Sequence, residues 1–210
     1  MSSVVVEGVA KSFGSRVLFE DRSFTVEQGQ MVALTGPSGS GKSTLLNCIG
    51  LLEKVSAGSI TVDGQDVTRL RPAGARRFRR DTLGYLFQNY ALVQNATVQF
   101  NLDVARVPGR KGRPGVPLEE ALERVGLQGH EKAPVFQLSG GEQQRVALAR
   151  LMVKAPTVVL ADEPTGALDR INADMVLKSL REFAGAGAAV LVATHSQHVV
   201  EACTDEIRIG

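Results

Sequence analysis

The chain has no tryptophan, only two tyrosines and only two cysteines in 210 residues. Cys48 and Cys203 lie far apart in apolar surroundings, which reads as two buried thiols and excludes the disulfide framework of a small secreted protein. Long hydrophobic runs are missing as well. The longest stretch free of charge and strong polarity, 183–193, is far shorter than the roughly 20 apolar residues that cross a bilayer. Neither sign of charge dominates. With 24 basic and 22 acidic side chains the net charge is +2, so the whole chain has no electrostatic case for a nucleic acid or an acidic surface as partner. The opening Met1–Glu7 has neither the basic start nor the apolar length of a signal peptide, so a cytoplasmic protein is expected. There is no internal repeat and no low-complexity tract.

What is present is an ordinary globular composition, 43% hydrophobic and 22% charged, long enough for one substantial core or a core with a satellite. Strand-like and helix-like patterns alternate in the α/β manner. Val4–Val6, Arg16–Phe19 and Ser23–Val26 read as short strands. Met31–Thr35 is an apolar strand that runs straight into a glycine-rich turn, followed by a buried helix to about Gly50. Ser59–Gly64 reads as a strand and turn, and Leu83–Gln88 as a strand. From about Asn89 to Val153 the pattern turns helical, with a Pro/Gly-rich break at 108–117. Alternation resumes with Thr157–Ala161, a helix from about Asn172 to Phe183, Ala188–Thr194 and a closing strand at Glu206–Ile209. The arginine-rich run Arg69–Arg80 contains one aromatic and is flanked by Asp66 and Asp81, so it reads as a solvated helix face.

Gly36-Pro37-Ser38-Gly39-Ser40-Gly41-Lys42-Ser43-Thr44 matches the phosphate-binding pattern G-x4-G-K-[ST]. Its three glycines let the backbone turn tightly and aim N–H groups at phosphate oxygens. The helix that follows adds the partial positive charge of its N-terminus. Lys42 suits the β- and γ-phosphates, and the Ser43 hydroxyl suits Mg2+. Asp162 ends an apolar strand at the edge where parallel sheets bind ligands and fits the acid that holds Mg2+. Glu163 beside it is placed to act as general base for an attacking water.

A second glycine-rich helix start, Leu138-Ser139-Gly140-Gly141-Glu142-Gln143-Gln144, is not explained by the first. Ser139 and Glu142 form a capping box. Gly140 and Gly141 are not needed for a cap, and glycine in a helix costs up to about 1 kcal/mol relative to alanine. They make sense where a phosphate must approach bare backbone. Because the first loop already wraps its own nucleotide, a second copy of the protein is the simplest source of that phosphate.

Taken in order, residues 36–44, 138–144, 158–163, Ala167-Leu168-Asp169 and Thr194-His195 resemble the motif set of the ABC-type ATPases: Walker A, signature, Walker B, D-loop and switch histidine. The resemblance covers essentially the whole chain. It implies an α/β fold, a P-loop NTPase RecA-like core (1–88 and 154–210) with an antiparallel β subdomain and an inserted helical subdomain (89–153) that carries the signature. It further implies ATP and Mg2+ as cofactors, Gln88 as the Q-loop glutamine at Mg2+ or the lytic water, His195 at the γ-phosphate and Asp169 reaching the other subunit. Phe13 stands where the family places an aromatic under adenine, and stacking there is worth about 1–3 kcal/mol per base.

The partners implied are a second copy, joined head to tail when ATP binds, and an integral-membrane permease, which would hold the protein at the cytoplasmic face of the membrane. Gly84–Leu92 and the Gly-Glu-Gln-Gln-Arg end of the signature look most like the macrolide-export and lipoprotein-release branch. Phe87–Val93 followed by Asn95–Val98 bears a fainter likeness to bacteriocin-export ATPases. With the sequence ending at Gly210, the regulatory domain that many importer ATPases carry is not expected. Between Lys42 and Ser139 there are no heptads and no paired cysteines, which argues against the DNA-repair and chromosome-organising relatives.

Overall fold

The computed structural model describes residues 3–106, 115–166 and 168–210. The Pro/Gly-rich break therefore lies mostly outside the described residues, as does Ala167 of the D-loop. Two sheets organise the rest. Strands β1 (Val4–Phe13), β2 (Arg16–Val26), β4 (Ala57–Val62) and β5 (Gln65–Asp66) form an antiparallel sheet in the order β2-β1-β4-β5. Strands β3 (Met31–Thr35), β6 (Leu83–Leu86), β7 (Val158–Asp162), β8 (Ala189–Ala193) and β9 (Asp205–Arg208) form a parallel sheet in the order β6-β7-β8-β3-β9.

The central parallel strands are apolar on both faces because both are covered. Val32, Leu34, Val158, Leu160 and Leu191 face a core shared with the antiparallel sheet and helix α1 (Lys42–Ile49). The alternate residues Val159, Ala161, Val190 and Val192 face a second core. That core is built with α5 (Gly140–Lys154), α6 (Arg170–Gly185) and α7 (Gln197–Ala202), and extends into α3 (Val98–Asp103) and α4 (Leu118–Arg124). Helix α2 (Pro72–Asp81) buries Phe78 alone and leaves most of its arginines in solvent. Two arginines of the basic run pair with their flanking acids, Arg69 with Asp66 and Arg80 with Asp81.

Two differences from the expected strands have local causes. Arg16–Val26 is one strand rather than two, because Asp21 at φ 48° absorbs an irregularity without ending it. Such bulges break the period-two pattern by which strands are recognised. Strand β6 stops at Leu86, so Phe87 and Gln88 lie beyond the sheet. Phe87 instead stacks on Tyr85, with ring centroids 3.9 Å apart. Among the described residues no helix is long and apolar enough to cross a membrane.

Candidate functional site

All five parallel strands point the same way, so the segments leaving β3, β6, β7 and β8 emerge at one edge of the sheet. The loop after β3 opens at Gly36 with φ 146° and passes close under the β9 end of the chain. Gly39 and Gly41 also take positive φ, 81° and 97°. Lys42 is buried and donates to the carbonyls of Gly36 at 2.8 Å and Pro37 at 3.1 Å. Its ammonium is thereby held over the loop's own concavity. Ser43 donates its hydroxyl to Asp162 Oδ1 at 2.8 Å.

Burial pushes the Asp162 carboxyl above its usual range; the Ser43 hydrogen bond opposes this and the neighbouring Glu163 adds to it. Two hard oxygen donors adjoining a phosphate loop fit Mg2+, which takes one or two protein oxygens and fills its octahedron with phosphate and water.

Glu163 leaves β7 in the left-handed region, at φ 45°, and its amide is fixed by Ala193 O at 2.9 Å. Non-glycine residues rarely adopt this conformation. It brings the carboxylate to the end of β8: His195 Nδ1 lies 2.8 Å from Oε1, and the fully buried Thr194 hydroxyl lies 3.5 Å from Oε2. With the carboxylate accepting, Nδ1 carries the hydrogen. A cleft of about 550 Å3 gathers Phe13, Ser38, Gly39, Lys42, Ser43 and Glu163 among its lining. That volume lies in the range of small-ligand sites.

Ser139–Glu142 do not line this cleft. The capping box is formed: the Ser139 amide donates to Glu142 Oε2 at 2.8 Å, and the Glu142 amide donates to Ser139 Oγ at 3.3 Å. The Ser139 hydrogen bonds hold the Glu142 carboxyl below its usual range. Asp169 caps α6 through the Asn172 amide at 2.9 Å, and that bond lowers its carboxyl in turn. Gln88 stands two residues past Leu86, whose partner in the sheet is Ala161, so it leaves the same edge as Glu163. Its side chain is exposed and makes no hydrogen bond among the described residues.

Four supporting residues were not legible beforehand. Asn172 donates to Asp169 Oδ2 at 2.7 Å, accepts from Arg145 of α5 at 2.9 Å, and packs beneath Gly141. It thus joins the D-loop to the signature helix. The buried Gln144 donates to Pro164 O at 2.9 Å, tying that helix to the turn after Glu163. Arg150 donates to the carbonyls of Tyr90 and Ala91 at 2.9 and 2.6 Å, fixing the two left-handed residues that follow Gln88. Lys11 lies under Phe13.

The sequence profile of the family described as ABC transporter matches residues 19–166. The chain belongs to the ABC transporter family. Within it, this ABC-type ATPase domain is 39% identical over 208 residues to the probable syringafactin export ATP-binding/permease protein SyfD of Pseudomonas syringae pv. syringae, covering 95% of this chain and 32% of the relative. It is 35% identical over 217 residues to the macrolide export ATP-binding/permease protein MacB of Escherichia coli, covering 97% and 34%. The chain thus spans about a third of the length of the curated relatives it matches.

Among solved structures, the dimeric bacterial ABC transporter cassette MJ0796 superposes with a TM-score of 0.88 at 30% identity, over 98% of this chain and 94% of that one. A post-hydrolysis dimer of the same cassette, bound to ADP and Pi, gives 0.87 at 31% over the same shares. The ABC cassette fold joins the antiparallel and parallel sheets described above.

Proposed function

We infer that this cassette binds and hydrolyses ATP–Mg2+ as an ATP-dependent, head-to-tail homodimer, and that the cycle drives a separate integral-membrane permease of the exporter or mechanotransmission kind. In this reading it works at the cytoplasmic face of the membrane. The observation that carries the proposal is a division of labour. One cleft gathers Phe13, the phosphate loop, Ser43 and Glu163, and Asp162 and His195 are hydrogen-bonded to the last two. The Ser139–Gly141 turn, which has the chemistry of a phosphate ligand, stands outside it.

Phe13 stacks on the adenine, Gly36–Thr44 wrap the phosphates, and Ser43 and Asp162, with Gln88, hold Mg2+. When bound, Mg2+ neutralises charge on the β- and γ-phosphates. Glu163 takes a proton from the attacking water while Thr194 and His195 orient it, and His195 contacts the γ-phosphate. The partner's Ser139–Glu142 turn closes over that phosphate, with the partner's Asp169 beside it. Segment 89–153 moves as a helical arm against the core 1–88 and 154–210, and Gln88 links the two. Relatives named as export ATP-binding/permease proteins support the exporter reading, and a cassette solved as a dimer supports association.

The test mixes two inactive variants, Lys42→Ala and Ser139→Arg, each also carrying Glu163→Gln to block escape by hydrolysis. In a head-to-tail heterodimer, one site combines both defects and the other has none. Mixing is expected to restore occlusion of one labelled ATP per dimer. If tagged heterodimers form yet occlude no more than either variant alone, the two segments do not share a site between chains and the proposal fails.

A further inference from the structure

Strand β1 changes phase at Gly8. Val4 and Val6 are buried before it, and Val9 and Lys11 after it, because a bulge at Gly8, with φ 56°, inserts one residue against both neighbouring strands. The shift carries a lysine inward. Lys11 is 6% exposed, and an ammonium withdrawn from water is costly unless it is paired. It is paired twice, donating to Glu53 Oε1 and to Lys54 O, each at 2.7 Å. Its nitrogen also stands 4.4 Å from the centroid of the Phe13 ring. Phe13 is 50% exposed and lines the cleft of the phosphate loop. The ring therefore has a fixed cation against one face, and its exposed part lines the cleft.

The anchor of that cation is part of the phosphate-binding element. Glu53 and Lys54 follow α1, the helix that begins at Lys42, and the Leu52 and Glu53 amides both donate to Asn47 O of that helix. Lys11 thus ties the ring to the helix that carries Lys42 and Ser43. A cation on one face of a benzene ring is held by the ring quadrupole and draws π density towards itself. The opposite face is left electron-poor, which suits an electron-rich purine.

We propose that Lys11 is a positioning residue for the nucleobase: it holds and polarises Phe13 from behind, so that the ring takes a purine at a set distance from the phosphate loop. The ligand class is a purine nucleoside triphosphate, and the inference rests on the reading of Phe13 as the base platform. Lys11 touches no nucleotide in this arrangement; it acts through the ring.

The test separates base from phosphate. Binding of ATP–Mg2+ is measured by calorimetry, and binding of inorganic tripolyphosphate–Mg2+ by competition with labelled ATP, for wild type, Lys11→Met, Phe13→Ala and the double variant. Lys11→Met is expected to weaken ATP about three- to tenfold, the scale of one partly desolvated cation–π contact, and to leave tripolyphosphate unchanged. In the Phe13→Ala background the same substitution is expected to do nothing further.

A parallel loss of tripolyphosphate binding would show that Lys11 serves the phosphate loop through residues 53 and 54, and would overturn the proposal. So would an undiminished effect on ATP in the Phe13→Ala background. Phe13→Ala that binds ATP as well as wild type would instead remove the base platform itself, and the inference with it. Should Lys11→Met not fold, Lys11→Gln keeps a donor for Glu53 and Lys54 O while losing the charge, and the same ATP-only loss is expected of it.

Discussion

The glycines of the 36–44 loop and those of the 139–142 turn are held to their identity by different neighbours. At Gly36, φ is 146° and a Cβ would fall 2.0 Å from Ile209 O. At Gly41, φ is 97° and a Cβ would meet the Phe19 ring at 2.7 Å. The chain's own backbone and core demand glycine at both positions. Gly140 and Gly141 lie in α5 without positive φ. A Cβ would come no nearer than 3.5 Å to Tyr90 Oη at the first and 3.6 Å to Asn172 at the second, which are ordinary contacts. Nothing within the described chain requires these two glycines, and helix propensity opposes them. Two turns that look alike in sequence therefore differ in cause: one is shaped by this chain, while the other finds no such cause among the described residues, which is what the proposed phosphate contact would supply.

Substituting each class should separate them, and the largest effect belongs to the first. Gly36→Ala forces both a left-handed backbone and an overlap with Ile209 O, neither of which a side-chain rotation relieves. A loss of about 4 kcal/mol or more is expected, at the severe end for single substitutions. Urea unfolding without nucleotide should show a much lowered midpoint or no folded protein. A Gly36→Ala protein as stable as wild type would mean that the loop's shape is not imposed by β9.

Gly141→Ala should do the opposite to stability and still remove function. In the isolated chain the alanine fits and favours the helix, so stability rises by about 0.5–1 kcal/mol. In the head-to-tail dimer proposed above, its methyl would occupy the space of a partner-bound phosphate. Overpacking of that kind costs about 1–3 kcal/mol, which weakens ATP-dependent dimerisation about 5- to 150-fold for each of the two sites. Sedimentation of Glu163→Gln with and without Gly141→Ala, in ATP–Mg2+, reads it directly. Unchanged dimerisation would return these glycines to a purely local role.

Asn172 sharpens the same contrast with a smaller effect. It bonds the D-loop carboxylate and the Arg145 guanidinium while packing beneath Gly141, so it sets the spacing of two segments read as acting on the other subunit. Asn172→Ala should bind ATP normally as a monomer and dimerise about three- to tenfold less well, the loss of one or two hydrogen bonds of ordinary net strength. If monomer binding falls equally, Asn172 supports the chain's own cleft instead.

How much of this was legible in advance follows the range of the interactions. Strands β3 and β7 and the start of α1 are local statements: an apolar run, then residues whose chemistry needs a turn at that point. The Ser139–Glu142 cap spans four residues and was equally readable. Lys11 was not, because the bulge at Gly8 breaks the alternation that would have marked it as buried, and its partners lie 42 and 43 residues away. Arg145 and Arg150 reach partners 27 and 60 residues distant, and arginine on a helix looks solvated until those partners are known. Gln88 shows the reverse limit. Its role was read from family resemblance, and the fold brings it only to the right edge of the sheet.

Asp162 falls in neither class of the comparison, since its hydrogen bond within this chain does not offset its burial. Its carboxyl is pushed up mainly by burial, with the Ser43 hydrogen bond opposing and Glu163 assisting. A raised folded-state value means that the native protein holds this proton more firmly than the unfolded chain does. The contribution to stability is therefore present below the ordinary aspartate range, near pH 3.9, and is lost as pH rises through the folded value. Asp162→Asn keeps an acceptor for Ser43 and removes the charge, so it should melt higher than wild type without ligand. The gap should open as pH is raised from about 4 and persist at neutrality. Adding ATP–Mg2+ should reverse the order, because only the wild-type carboxylate offers the cation a charged ligand and only that protein gains the full increment from binding. Melting curves across pH, with and without ATP–Mg2+, contain both halves of the test. An asparagine variant that melts lower than wild type at pH 7 in the absence of ligand would mean that the Ser43–Asp162 pair is already satisfied by the protein alone.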